Sequence, residues 1–157
     1  MNHSTQLAKH LRDVYFGGNW TASNLNDQLK DISWKEATTR VDSLNTIALL
    51  VYHMGYYIEV VIKVLQGGPL EAKDIYSFDL PPIRSEKDWK VLVEKQFSQI
   101  ETLAGLIEQL PEEQLWKTFE QEKYGNYYRN LFGIIEHCHY HLGQIALIKK
   151  LLRKSTK

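Results

Sequence analysis

The sequence predicts an all-α fold, an antiparallel four-helix bundle with short extra helices and a long loop between its second and third principal helices. Three observations predict it. Apolar residues recur at spacings of three and four along most of the chain. Runs of strand-like alternation bounded by turns are missing. A length of 157 residues suits one domain with a sizeable core and is short for two, so a single domain over residues 1–157 is expected.

The first principal helix is expected over Thr5 to Phe16, ending where Gly17-Gly18 releases the backbone from helical restraint. A short helical stretch from Ala22 to Asp31 presents Leu25, Leu29 and Ile32 at spacings of four and three. Ser33 then offers an N-cap for a brief turn through Trp34, Lys35, Glu36 and Ala37, with Glu36 at the capping-box position. The second principal helix runs from Ser43 to Gln66 and is stopped by Gly67-Gly68-Pro69. From Pro69 to Arg84, including Pro81-Pro82, the chain is polar and irregular, a length at which a loop often serves as a lid or an interface segment. Tyr76 and Asp79 are the loop residues expected to approach a site.

Ser85, followed by Glu86, Lys87 and Asp88, opens the third helix by capping and by charge. Its buried stripe is Trp89, Leu92, Val93, Phe97, Ile100, Leu103, Ala104 and Ile107, and Pro111 stops it. Glu112, Glu113 and Gln114 begin a short turn, after which the fourth helix spans about Asn126 to Leu152. The tryptophans Trp20, Trp34, Trp89 and Trp116 are read as packing anchors because each offers a large area to bury.

Nineteen basic and nineteen acidic side chains cancel, which removes the net pull towards nucleic acid or anionic lipid. The one basic cluster, Lys149, Lys150, Arg153, Lys154 and Lys157, falls where cations meet the negative end of a helix dipole and is read as a C-terminal cap. A single cysteine, Cys138, excludes an internal disulfide framework and suits a reducing compartment such as the cytoplasm. No membrane span is expected, since His53, Glu59 and Lys63 interrupt the most apolar segment.

The chemistry lies in the histidines. His137 and His141 are four residues apart, a spacing that stacks two imidazoles on one face of a helix. They fall on the inward stripe Ile134, His137, His141, Ile145 or Gln144, Ile148 and Leu152. His53 lies on the matching stripe of the second helix, Leu49, His53, Tyr56 or Tyr57, Val60 and Val64. Three histidines on two packed helices would leave a tetrahedral metal ion one open position, the arrangement of a catalytic site. His139 projects to the far side of its helix, and Cys138 stands about 100° from His137 as a flanking residue. The alternative from the residues alone is a non-catalytic dimerisation or binding bundle whose histidines are structural. A zincin helix is excluded, because Cys138 occupies the place of its glutamate base.

The run Glu136-His137-Cys138-His139-Tyr140-His141-Leu142-Gly143-Gln144-Ile145 resembles the last bundle helix of the DinB-like family of metalloenzymes, also called DNA-damage-inducible or YfiT-like. Asn45 to His53 is similar to that family's second helix. Gly17-Gly18-Asn19-Trp20 and Leu25 through Ala37 are similar to its N-terminal region, so the likeness covers nearly the whole chain. The resemblance implies a four-helix bundle holding a divalent metal, usually nickel or zinc, on His53, His137 and His141. It also implies thiol-dependent transfer with a low-molecular-weight thiol such as bacillithiol or mycothiol, or hydrolysis, on a small-molecule substrate, and a homodimer.

Among other residues, Gln144 and Tyr57 stand as supporting groups able to hydrogen-bond a ligand or a histidine, although tight helix packing at Gly143 would explain Gly143-Gln144 equally well. Tyr52, Tyr56, Tyr57, Tyr127, Tyr128 and Tyr140 are expected around a mainly apolar cavity. Glu136 and Glu59 read as solvated or supporting carboxylates, leaving no acidic residue placed inward beside the histidines. That absence favours a thiolate nucleophile over activated water, because a metal-bound thiol loses its proton outright.

Overall fold

A computed structural model describes residues 2–154. The described residues form six α-helices and three 3-10 segments, and the only β feature among them is one isolated bridge between Thr118 and Asn126. The helices are α1 (His3–Phe16), α2 (Leu25–Leu29), α3 (Trp34–Thr38), α4 (Ile47–Leu65), α5 (Glu86–Glu108) and α6 (Tyr127–Lys154). The 3-10 segments are Asp74–Phe78, Glu112–Trp116 and Glu122–Tyr124. The four long helices α1, α4, α5 and α6 make the bundle, and α1 and α4 each pack against both α5 and α6.

Cross-helix bonds fix the directions. Ser4 reaches the Leu110 carbonyl while Tyr15 meets Gln96, so α1 and α5 run antiparallel. Leu50 shares a groove with Gln144 and Leu147, and Val60 a cleft with Gly133, so α4 and α6 are antiparallel as well. At the other two interfaces the helices run parallel: His3 lies by Tyr128 and Tyr15 by Cys138, and α3, at the start of α4, bonds to Glu86 at the start of α5. The connection 66–85 allows this, since it is long enough to carry the chain back along a helix of roughly 28 Å, whereas 17–46 joins the ends of antiparallel α1 and α4 at one end of the bundle.

Helix starts follow local chemistry. Asn2, Asn24, Thr46 and Ser85 each accept a backbone N–H of the first turn, and Ser33 with Glu36 closes the expected capping box. α4 begins at Ile47, later than the expected Ser43, because the Thr46 hydroxyl is the cap and Asp42 at φ 47° breaks the helical path before it. The second stretch likewise shortens to Leu25–Leu29, since Asn24 caps it and Ala22 sits at φ 53°.

The core is aliphatic, with Leu11 and Val14 of α1, Leu50, Met54 and Ile58 of α4, Ile100 and Leu103 of α5 and Leu131 and Ile145 of α6 all buried. Each such side chain contributes about 1.5–3 kcal/mol on burial. α4 is long and apolar enough to cross a bilayer by length and composition, and two-thirds of that stretch is buried inside the bundle. Because α4 is covered on most sides, burial extends beyond the expected stripe to Ala48, Val51 and Val61, whereas Leu49 is half-buried.

Two expectations are corrected here. Trp89 is a core anchor whose Nε1 donates to the Ile32 carbonyl at 2.9 Å, but Trp20 is wholly exposed and Trp116 is 52% exposed. Trp20 follows Gly17-Gly18 in a loop held by the Asn19 side chain, which bonds the Asp13 and Ser23 carbonyls and leaves the indole pointing outwards. The basic cluster does more than face its own helix dipole: Lys149 donates to the Gln28 carbonyl and to Asp31, and Arg153 pairs with Asp31 and Glu36, tying α6 to the α2–α3 segment. These two cations hold the Asp31 carboxyl down at about 2. Lys157 lies outside the described residues.

Candidate metal centre

His53 projects from the middle of α4, and His137 and His141 from successive turns of α6. The Nε2 atom of His137 lies 3.0 Å from Nε2 of His53 and 3.0 Å from Nε2 of His141. One ligand atom from each of the three falls within 4.8 Å of the others. The antiparallel packing of α4 on α6 brings this about, because it sets the midpoint of one helix against the midpoint of the other. His53 and His141 are buried and His137 is half-buried.

The far side of two rings is held by hydrogen bonds that decide the tautomer. Ser77 Oγ donates its only proton to the Asp74 carbonyl at 2.6 Å, so towards His53 it can only accept. His53 Nδ1, 2.8 Å from that oxygen, therefore carries the ring proton, and Nε2 is left with a bare lone pair. Gln144 Oε1, at 2.7 Å, takes the Nδ1–H of His141 in the same way. Two bare lone pairs thus point at His137 Nε2.

That donor set fits a cation. Bonds of about 2.0–2.1 Å would separate neighbouring nitrogens by about 3.4 Å in a tetrahedral site and about 2.9 Å in an octahedral one, on either side of the 3.0 Å from His137 to each of its two neighbours, while all three ligand atoms lie within 4.8 Å. Electrostatics agree: burial, and then the neighbouring imidazoles, lower the pKa of His137 to about 4. Burial also lowers that of His53 and His141, so all three rings favour the neutral form that ligates.

The histidines form one end of a cleft of about 680 Å³ between α4, α6 and the loops after α4 and before α6. Val60, Val61 and Ile134 give it an apolar wall, and Asp74, Arg129 and Glu136 supply its charges. The loop that closes one side is pinned to α4 at three points. Tyr56 bonds the Lys73 backbone, Tyr57 donates to Asp74 Oδ1 at 2.6 Å, and Ser77 bonds His53. Phe78 stacks on the His53 ring with centroids 4.4 Å apart.

Gln144 stands beside His141 as a hydrogen-bond partner. Tyr57 meets the histidines through its ring, edge-on to His53 and His137, while its hydroxyl turns to Asp74. Tight packing at Gly143 is not the reason for the neighbouring glutamine, since a Cβ there would meet nothing within 4 Å. Of the other expected tyrosines only Tyr140 lines the cleft, joined by Tyr124. Tyr52 and Tyr56 face a groove beside α5, Tyr127 packs on Phe119, and Tyr128 stacks between Trp116 and Phe132.

From the loop, Asp74 and Ser77 approach the site where Tyr76 and Asp79 were expected. In a 3-10 turn residues three apart eclipse, so 74 and 77 share the inward face and 76 and 79 the outward one. The view that no carboxylate stands beside the histidines is therefore corrected, since Asp74 lines their cleft. Among the described residues, both hydrogen bonds to the Asp74 carboxylate fall on Oδ1, from Tyr57 and Ser77. Cys138 turns away into the core, 3.5 Å from the Tyr15 hydroxyl, and His139 lies on the opposite side against His10.

Residues 19–145 match the sequence profile of the DinB superfamily. No curated protein and no solved structure matches the chain.

Proposed function

The chain belongs to the DinB superfamily, and from that premise we propose that it is a divalent-metal-dependent enzyme, a thiol-dependent S-transferase or a hydrolase acting on a small molecule. His53, His137 and His141 would hold the metal, nickel or zinc, through their Nε2 atoms. The observation that carries this reading is the convergence of those three nitrogens at 3.0 Å contacts in the wall of a cleft. When bound there, a divalent ion supplies Lewis-acid chemistry that makes a thiol or water a strong nucleophile at neutral pH.

The remaining work belongs to side chains of this chain. Ser77 and Gln144 fix the ring protons of His53 and His141 on Nδ1 and aim both Nε2 atoms at one point. Asp74, whose carboxyl is held below its usual range chiefly by the Tyr57 hydroxyl, offers Oδ2 as a proton acceptor on the cleft wall. It serves a water or a thiol equally, which removes the earlier preference for a thiolate. The apolar wall of Val60, Val61 and Ile134 offers contact to the carbon skeleton of a small substrate.

Metal content tests the proposal. The protein purified without a polyhistidine tag is expected to carry one nickel or zinc ion per chain by inductively coupled plasma mass spectrometry. His53→Ala and His137→Ala are expected to lose it. Equally low occupancy in all three preparations after incubation with either metal would overturn the reading.

A further inference from the structure

The cleft segregates its charges. At the histidine end stand two carboxylates, Glu136 in the residue before His137 and Asp74, which acts electrostatically on both His53 and His137. Arg129 lies eight residues before His137 on the same helix, about 12 Å away along the axis. Between them runs the apolar wall of Val60, Val61 and Ile134. Arg129 is seated: its Cδ would come within 3.0 Å of a Cβ at residue 125, where Gly125 at φ 74° leaves the passage open, and its Nη1 donates to the Tyr124 carbonyl at 3.3 Å. Among the described residues Arg12 and Arg153 are paired with carboxylates, whereas no ion pair involves Arg40, Arg84 or Arg129, and of these three only the exposed Arg129 lines the cleft.

We propose that this cleft takes an elongated small molecule with an anionic head, a carboxylate bound by Arg129, an apolar middle against Val60, Val61 and Ile134, and an uncharged reactive end at the histidines. The guanidinium fork matches a carboxylate with two parallel hydrogen bonds, and Glu136 and Asp74 repel the same group from the opposite end. Orientation therefore follows from charge. This rests on the cleft being the substrate site of the function proposed above, but Arg129 needs no metal to bind its anion.

The test uses the full chain after treatment with EDTA and dialysis, so that no carboxylate–metal bond imitates the effect. Octanoate and octan-1-ol, of equal chain length, are compared by isothermal titration calorimetry and thermal shift. Octanoate is expected to bind about tenfold more tightly, the return on one charge-assisted hydrogen-bonded pair at a wet site. Arg129→Ala should erase that advantage and leave octan-1-ol binding unchanged, while Arg129→Lys should keep part of it. Equal binding of the two ligands, an octanoate advantage that survives Arg129→Ala, or no binding of either would overturn the proposal. Failure of the metal reading would show separately, as metal addition without effect on the ligand-free chain.

Discussion

Ser77 reaches across 24 residues to place its Oγ 2.8 Å from Nδ1 of His53, and it does so as an acceptor because its own proton is committed to the Asp74 carbonyl. A loop residue thus decides which nitrogen of a core histidine is free. Ser77→Ala should leave the helical content unchanged and weaken metal binding by about 10- to 100-fold, the usual cost of losing a partner that orients a ligating histidine. Competition against a chromogenic chelator measures it, with Ser77→Thr, which keeps the hydroxyl, as the control. An affinity within twofold of the parent in Ser77→Ala would show that the ring needs no such guide.

Metal should also stabilise the fold, because a preformed trio of lone pairs exists only in the folded chain. At a free metal concentration 100 times the dissociation constant, the gain is about 2.7 kcal/mol, which corresponds to roughly 5–10 °C in Tm for a chain of this size. Differential scanning fluorimetry with nickel or zinc, reversed by EDTA, reads the shift. His53→Ala should abolish it, and an equal shift in that variant would place the metal elsewhere.

The helices and the histidine phase were legible in the sequence because both rest on 3.6-residue periodicity, which survives in any long amphipathic segment. Helical spacing sets His53, His137 and His141 on inward stripes, and the fold brings their rings together. Asp74 and Ser77 could not be found that way. They sit in a loop whose 3-10 turn has a different period from the α-helix, so an inward face could not be assigned. Arg129 continues the α6 row of Gly133, His137 and His141 at steps of four and was open to the same periodicity, whereas Tyr124 lies before the helix, where that period says nothing. Trp20 misled because residue size speaks for burial only where the backbone turns the side chain inwards.

Acid should destabilise the metal-free protein through the same histidines. In the unfolded chain an imidazole takes its proton near pH 6.5, whereas in the fold His137 takes it near 4. Between those values the unfolded state binds more protons, so stability is lost as pH falls from about 6.5 and the loss levels off near 4. Urea midpoints of EDTA-treated protein at pH 7.5 and pH 5 should therefore differ, with the lower value at pH 5. In His137→Asn the difference should shrink; an undiminished difference would assign the acid sensitivity to other groups.

The last prediction concerns the thiol that the motif placed between two candidate ligands. Cys138 is wholly buried against Tyr15, and burial pushes its pKa up to about 12. Thiol reagents attack the thiolate, which is scarce at pH 8 for such a group, and the surrounding core denies them access. The native protein should therefore react with Ellman's reagent far more slowly than the protein in 6 M guanidinium chloride, where one thiol per chain should titrate at once. Tyr15→Phe sharpens the test. It removes the hydroxyl that accepts from Gln96 Nε2 at 2.7 Å and leaves that buried amide without its partner, a cost of about 1–3 kcal/mol. If labelling of the native state proceeds through transient opening, the variant should label faster in proportion to its lost stability. Prompt labelling of the parent protein in its native state would instead place Cys138 at an open surface, and with it the face of α6 that carries His137 and His141 would have to be rotated.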